Sequence, residues 1–126
     1  MRLKLLGNGS MFSMYAVVLD NGTCPAEDFL EQVKQRDPAS HKSLVNIIAR
    51  HADYGQIRNK RKSRFIKDRG GLLEFKTHQG DRLVYFYLPD RRTVLTHGFH
   101  KGAFASDEFD KAEAMRDQYR KEAENG

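Results

Sequence analysis

Residues 72–99, LLEFKTHQGDRLVYFYLPDRRTVLTHGF, decide the fold of this chain. Three runs rich in β-branched, aromatic and aliphatic residues occupy residues 72–77, 82–88 and 93–99, and the segments HQGD and PDRR between them have the composition of tight turns. Three strands joined by two tight turns form an antiparallel meander. The pattern therefore predicts a small β-sheet in the C-terminal half of the chain.

The segments around the meander have their own start and stop signals. The run MYAVVL, residues 14–19, predicts a further strand. CPAEDFLEQVKQR predicts a helix with Pro25 at its first position, and DPASHKSLVNIIARHADYG predicts a second helix that is capped by Asp37 and ended by Gly55. SDEFDKAEAMRDQYRKEAE predicts a C-terminal helix with Ser106 as its cap.

The order of these elements is strand, two helices, three strands and helix, which predicts an α+β fold. We expect a single domain over residues 14–126, in which an N-terminal helical hairpin and the C-terminal helix pack on one face of an antiparallel sheet and leave the other face open. Residues 1–13 are predicted to be a loose leader. A chain of 126 residues has the usual length of one domain.

Positive charge is concentrated in one part of the chain. The formal net charge is +5, whereas residues 56–71, QIRNKRKSRFIKDRGG, contain seven bases and one acid. We call residues 56–71 the basic segment. Such a patch attracts polyanions, nucleic acid above all, although a solvated loop without a ligand has the same composition. The candidate RNA-binding residues are Arg58, Lys60, Arg61, Lys62, Arg64 and Lys67.

Several classes of protein are excluded by composition. The sequence has no apolar run of the roughly 20 residues that a membrane helix needs, and it has no signal-peptide pattern, so we expect a cytoplasmic protein with no membrane partner. The single cysteine, Cys24, excludes an internal disulfide and a cysteine-based zinc site. The sequence also lacks a glycine-rich nucleotide loop and a pair of carboxylates on one strand face.

Groups that carry protons and positive charge collect at one end of the meander. Lys76 and Arg82 flank the HQGD turn and are therefore close in space, and the last strand ends in VLTHGFHKG, which adds His100 and Lys101. Cations of this kind hold a phosphate and stabilise the charge that builds on its oxygens, while a base removes the 2′-hydroxyl proton of RNA. We predict that Lys76, Arg82, His100 and Lys101 are catalytic, with no cofactor and no metal.

Two other interpretations of the histidines stay open at this point. His78, His97 and His100 can be imagined as metal ligands, although their spacing gives this little support. Each histidine can also be an ordinary packed or surface residue. Strand alternation predicts that Leu95, His97, Phe99 and Lys101 share one face and that His100 lies on the opposite face.

An ordered set of motifs resembles the phage-derived, HigB-like branch of the RelE/ParE toxin superfamily. The set comprises Cys24–Pro25, LLEFK, Arg82, VYFYL, VLTHGFHK and DEFDKA, and the resemblance covers roughly residues 15–119. It implies a RelE-like domain and the toxin of a type II toxin–antitoxin system, a metal-independent endoribonuclease that cuts mRNA, commonly on the ribosome. The implied partners are mRNA, the ribosome and a cognate helix-turn-helix antitoxin.

The resemblance also bears on individual residues. Lys76, Arg82 and Lys101 match basic positions of the branch, whereas His100 stands where the branch usually has an apolar residue. Phe109 falls near the place of a catalytic tyrosine in RelE itself, and phenylalanine cannot exchange a proton. Either the base is a lysine or a histidine, with His100 and Lys101 favoured and His97 in reserve, or the protein is a weak nuclease. A gyrase-directed ParE-like toxin and a non-enzymatic RNA-binding regulatory protein are the alternative functions.

Overall fold

The computed structural model describes residues 1–125, with side chains as far as Glu124. Within this range a six-stranded sheet is combined with three helices. In chain order the elements are β1 (Arg2–Asn8), β2 (Ser13–Val18), α1 (Pro25–Arg36), α2 (Pro38–Tyr54), β3 (Ser63–Phe65), β4 (Leu73–Lys76), β5 (Asp81–Leu88), β6 (Arg92–His100) and α3 (Ala105–Asn125). The α+β fold class is therefore confirmed.

The sheet is mixed, with the strand order β1-β2-β6-β5-β4-β3. The predicted meander is confirmed, because β4 pairs antiparallel with β5, and β5 with β6. The prediction of a purely antiparallel sheet is wrong, because β2 runs parallel to β6, with Tyr15 opposite Val94. The connection from β2 to the meander contains two helices, which gives the chain the length that a parallel arrangement requires.

The first strand of the sheet lies in the segment that we predicted to be a loose leader. Arg2–Asn8 form β1, which pairs antiparallel with β2, and Leu3 stands opposite Val17. The leader prediction is wrong for these residues. Leu3 and Leu6 pack against the buried core on its two sides, whereas Leu5 is 48% exposed, and the pairing with β2 is irregular between Leu5 and Gly7.

Both faces of the sheet are covered, so the prediction of an open face is also wrong. One face, the α1/α2 face, packs against the helical hairpin through buried residues that include Phe29, Val33, Leu44, Phe75, Leu83, Tyr85 and Leu95. The other, the α3 face, packs against the C-terminal helix through residues that include Val84, Phe86, Val94, Phe109 and Ala112. The near-continuous apolar run VYFYL in β5 fits a strand that is buried on both sides.

Three of the four predicted helix signals have the predicted geometry, and the first is Pro25, which begins α1. Asp37 Oδ1 accepts the backbone N–H of Ser40 at 3.2 Å and so caps α2, and Gly55 ends that helix with φ 94°. The predicted cap of α3 is wrong, because the helix begins at Ala105 and already includes Ser106. Ser106 Oγ instead accepts a hydrogen bond of 3.1 Å from Arg69 Nη2.

A β-bulge in β6 changes which side chains face each helix layer. The pairing of β5 and β6 shifts between Leu83, which stands opposite Gly98, and Tyr85, which stands opposite Leu95. One residue of β5 therefore faces two residues of β6, and the alternation of β6 is reversed beyond this point.

The reversal corrects the predicted faces of the strand end. Leu95 belongs to the α1/α2 face, but His97 bonds to Glu108 of α3 at 2.8 Å and Phe99 packs against Phe109 of the same helix. The prediction that Leu95, His97 and Phe99 share one face is therefore wrong. No helix within residues 1–125 is both long and apolar enough to cross a membrane.

Candidate functional site

A buried carboxylate on the α3 face holds two arginines together. Glu74 lies in β4 and is fully buried. Its Oε1 atom accepts a hydrogen bond of 2.7 Å from Arg82 Nη1 in β5 and one of 3.2 Å from Arg64 Nε in β3. Lys76 stands directly opposite Arg82 in the strand register. We call these four residues the Glu74 cluster.

The Glu74 cluster is incomplete in its hydrogen bonding. The second carboxylate oxygen, Oε2, is buried and has no hydrogen-bond partner among the described residues. Burying a carboxylate costs free energy unless charges and hydrogen bonds compensate for its lost hydration. Arg64 and Arg82 provide this compensation only at Oε1. Three cations surround this one carboxylate, so the cluster carries an excess of positive charge.

The ammonium group of Lys76 is affected by this environment. Burial lowers the pKa of Lys76 below its ordinary value of 10.5, and the positive charges of Arg64 and Arg82 lower it further, against the opposing effect of Glu74. Both effects disfavour the charged form of the amine. The neutral amine of Lys76, the form that can accept a proton, is therefore more populated at moderately alkaline pH than that of an ordinary surface lysine.

Lys101 lies at the same end of the sheet. Its backbone N–H donates to the carbonyl oxygen of Gly80 at 2.8 Å, and it follows Phe99, the partner of Arg82, by two positions. The Lys101 side chain crosses the HQGD turn, where a Cβ atom on Gly80 would lie only 2.5 Å from Lys101 Cδ. Gly80 has φ +99°, a conformation that favours glycine, so the turn suits this crossing.

His100 does not join the Glu74 cluster. It lies on the α1/α2 face, where its Nδ1 atom donates to Oδ1 of the fully buried Asp81 at 3.0 Å. Arg36 Nη2 donates to the same oxygen at 2.5 Å, and Ser40 Oγ donates to Oδ2 at 2.5 Å. We call Arg36, Ser40, Asp81 and His100 the Asp81 cluster.

The carboxylate of the Asp81 cluster is fully compensated. Burial by itself would raise the pKa of Asp81, but the hydrogen bonds from Ser40, His100 and Arg36 outweigh it and hold the pKa below its ordinary value. Both oxygens are bonded, so the ionised form is stabilised by the protein itself. The arrangement is that of a structural ion cluster.

The histidines do not converge on a common ion. His97 and His100 lie on opposite faces of the sheet, as strand alternation predicts: His97 bonds to Glu108 of α3, and His100 bonds to Asp81. Among the described side chains, no three His, Cys, Asp or Glu residues are grouped so that they could hold a metal ion. The imagined site formed by His78, His97 and His100 is thus not assembled.

The basic segment is divided between structure and surface. At its C-terminal end, Arg69 bonds to Ser106, and Arg116 Nη1 donates to the carbonyl oxygen of Gly70 at 2.7 Å, so this part is fastened to α3. Arg64 belongs to the Glu74 cluster. The five other predicted RNA-binding residues are exposed and form no ion pair within residues 1–124: Arg58, Lys60, Arg61, Lys62 and Lys67.

Sequence reasoning missed the two carboxylates that organise these clusters. Glu74 is an acid inside the apolar strand LLEFK, and an unexpected charge in a buried strand was the available signal. Asp81 was assigned to the HQGD turn, where an aspartate is ordinary, so its sequence gave no signal. Only the folded geometry shows that it begins β5 beneath α1.

A comparison with known families bears on all of these residues. The profile of the family described as "Phage derived protein Gp49-like (DUF891)" matches residues 31–118, which is more than half of the chain. The chain belongs to the Gp49-like family. The matched range of this Gp49-like protein contains both carboxylate clusters and Lys101. A comparison with curated proteins gives no match.

Proposed function

We propose that this Gp49-like protein is the toxin of a type II toxin–antitoxin system, a metal-independent endoribonuclease that cuts ribosome-bound mRNA. The observation that carries the proposal is the Glu74 cluster, in which Arg64, Lys76 and Arg82 surround one incompletely bonded carboxylate. The resemblance to HigB-like toxins, whose motifs include LLEFK and Arg82, supports the same function.

The cluster suits the binding of a phosphodiester. Arg82 uses Nη1 for Glu74, which fixes the plane of its guanidinium and leaves other N–H groups for a phosphate. Lys101 extends from the same end of the sheet, so the two side chains can hold one phosphate from two directions. Such contacts stabilise the charge that develops on the phosphate oxygens in the transition state.

Lys76 is the base in this proposal. Its neutral amine takes the proton of the 2′-hydroxyl, and the 2′-oxygen attacks the adjacent phosphorus. The bond from phosphorus to the 5′-oxygen breaks, and the ammonium group of Lys101 gives that oxygen its proton. The products are a 2′,3′-cyclic phosphate and a 5′-hydroxyl end. RNA supplies its own nucleophile, the 2′-oxygen, so the reaction needs no cofactor.

This assignment differs from the sequence-based one in two respects: it omits His100, and it makes Lys76 the base in place of His100 or Lys101. His100 was predicted to be catalytic together with Lys76, Arg82 and Lys101, but it is bonded to Asp81 on the opposite face. We propose that it stabilises the Asp81 cluster. The Glu74 cluster supports the nuclease over the gyrase-directed alternative, because a gyrase-directed toxin is expected to lack a set of cations that can bind a phosphate.

The proposed protein partner is a cognate helix-turn-helix antitoxin with an acidic segment. The chain has a net charge of +5, and five exposed bases of the basic segment have no carboxylate partner within residues 1–124: Arg58, Lys60, Arg61, Lys62 and Lys67. An acidic segment laid on these bases would block access of RNA. Co-expression with the neighbouring gene product, followed by copurification, tests this partner.

Expression in bacteria followed by mapping of RNA 5′ ends tests the function. We expect growth arrest and new 5′-hydroxyl ends within translated mRNA. Lys101→Ala should abolish both, whereas the control Lys42→Ala, an exposed lysine on α2, should abolish neither. Growth arrest without new RNA ends, together with loss of DNA supercoiling, would replace this proposal with the gyrase-directed one.

A further inference from the structure

A groove with a volume of about 520 Å³ lies beside the Glu74 cluster. It is formed by the start of the basic segment and by β3, and its lining includes Arg58, Lys60, Arg64 and Phe65. It is therefore lined by cations together with an aromatic side chain, a combination that single-stranded nucleic acid grooves use.

Phe65 is an unusual residue for its position. It lies on β3, an edge strand of the sheet, and 57% of its surface is exposed. Exposed apolar side chains on edge strands invite unwanted association, so proteins usually avoid them. The strand that carries Phe65 is also firmly held, because Ser63 Oγ and Tyr85 Oη share a hydrogen bond of 2.6 Å in the core. Its aromatic ring is thus presented from a fixed backbone.

The cations of the groove are available to a ligand. Arg58 and Lys60 are exposed and make no ion pair within residues 1–124. Arg64 connects the groove to the proposed site of cleavage, because it lines the groove and its Nε atom also donates to Glu74 Oε1, the atom that holds Arg82. The groove and the Glu74 cluster therefore share Arg64.

We propose that this groove is a subsite for single-stranded RNA, in which one base stacks on Phe65 while Arg58 and Lys60 bind the neighbouring phosphates. The cations alone would also attract an acidic peptide. The exposed aromatic face between them favours a nucleic acid, since every base offers a flat face for stacking. The groove could bind RNA even if the protein were not a nuclease. The further claim, that the bound strand continues to the phosphate that is cut, rests on the proposed function.

The test uses a fluorescent single-stranded 2′-O-methyl RNA, which the protein cannot cleave because its 2′-oxygens are blocked. Phe65→Leu keeps an apolar side chain but removes the aromatic face, so we expect its affinity to fall on the order of 5- to 150-fold. Phe65→Trp should keep or increase the affinity. Equal affinity of all three proteins, with unchanged melting temperatures, would overturn the proposal.

A second arm tests the phosphate contacts. The double variant Arg58→Gln, Lys60→Gln should lower the slope of log affinity against log salt by about 0.7 for each contact that is lost. The matched control, Lys34→Gln with Lys42→Gln, removes two exposed lysines from α1 and α2 and should leave the slope unchanged. Equal slopes for the two double variants would contradict the assignment of these contacts.

The outcomes separate this subsite from the proposed function. If the protein binds the blocked RNA through Phe65 but cuts no RNA, the subsite is supported and the nuclease function is contradicted. A protein that cuts RNA while Phe65→Leu binds normally retains the nuclease and loses the subsite. Displacement of the blocked RNA by poly-glutamate, combined with indifference to Phe65→Leu, would identify an acidic-peptide surface and overturn the proposal.

Discussion

Two buried carboxylates lie on opposite faces of the same sheet, and they differ in how they are compensated. Asp81, on the α1/α2 face, has both oxygens bonded, and Ser40, Arg36 and His100 provide the donors. Glu74, on the α3 face, uses only Oε1, and its Oε2 has no partner among the described residues. The protein therefore bonds both oxygens of Asp81 but only one oxygen of Glu74.

The balance of charge differs in the same way. The guanidinium of Arg36 is neutralised by Asp81, whereas the single carboxylate of Glu74 faces Arg64, Lys76 and Arg82. Uncompensated charge costs stability, and folds keep it where a ligand uses it. We therefore expect substitutions in the Asp81 cluster to change stability and substitutions in the Glu74 cluster to change activity.

The largest effect should come from Lys76. Removal of a general base costs on the order of 10²–10⁴ in rate, so Lys76→Met should reduce RNA cleavage by this factor. The wild-type rate should also rise with pH up to the pKa of Lys76, which lies below 10.5, because the neutral amine is the reactive form. Cleavage of an RNA oligonucleotide over a range of pH measures both effects. A Lys76→Met protein with the wild-type rate and pH profile would show that Lys76 is not the general base.

Stability should depend on pH through the α1/α2 face. Burial lowers the pKa of His51 from 6.5 to about 4, so the unfolded chain binds more protons than the folded one between these values. The contribution of neutral His51 to the free energy of unfolding is fully present above pH 6.5. It falls as the pH is lowered, and about 3 kcal/mol is lost near pH 4. The lowered pKa of Asp81 acts in the same direction at lower pH.

Urea unfolding at pH 7.5 and at pH 4 measures this loss. His51→Gln can keep the hydrogen bond to Thr93 Oγ1, which is 2.9 Å long in the wild type, but does not titrate, so its stability should change less with pH. His41→Gln, on the same helix but partly exposed, is the control and should behave as the wild type. Equal pH dependence of all three proteins would show that His51 is not the titrating group.

The two carboxylates themselves allow a paired test. Asp81→Asn weakens several charge-assisted hydrogen bonds of a buried group and should lower the free energy of unfolding by about 2 kcal/mol. Glu74→Gln removes a buried charge that is bonded at one oxygen only, so its effect on stability should be smaller. Because Arg82 loses its anchor, the same substitution should lower kcat for RNA cleavage more than it raises KM. The reverse pattern would contradict the difference between the clusters.

The smallest effect should come from His100. His100→Gln replaces one hydrogen bond at a partly exposed site and should cost about 1 kcal/mol of stability. RNA cleavage per folded molecule and its pH profile should stay unchanged, which thermal melting and cleavage assays on one preparation can establish. A shifted pH profile would return His100 to the catalytic set.

Much of the fold follows from local sequence patterns. The meander, the helical hairpin and the Asp37 cap depend on period, proline and glycine positions, and short-range hydrogen bonds, all of which are visible in the sequence. The parallel pairing of β2 with β6 and the covering of both faces depend on contacts between distant segments. The edge strand β1 was missed because its apolar run is short and interrupted by bases.

The candidate site was also predictable only where its residues are close together in the sequence. Lys76 and Arg82 flank one turn, so their proximity follows from the sequence, and the structure pairs them. The face of His100 could not be predicted, because it depends on a bulge that reverses the alternation of β6. The shared bond of Arg64 and Arg82 to Glu74 joins three strands, and no local pattern encodes it.

The most direct test compares the two arginines that bind the two buried carboxylates. Arg82→Lys and Arg36→Lys make the same change on opposite faces, since lysine keeps the charge but loses the planar set of donors. We predict that Arg82→Lys lowers RNA cleavage on the order of 10²–10³ with little change in melting temperature. Arg36→Lys should lower the melting temperature and leave cleavage per folded molecule intact. Full cleavage by Arg82→Lys, or loss of cleavage confined to Arg36→Lys, would contradict the assignment of function to the Glu74 cluster.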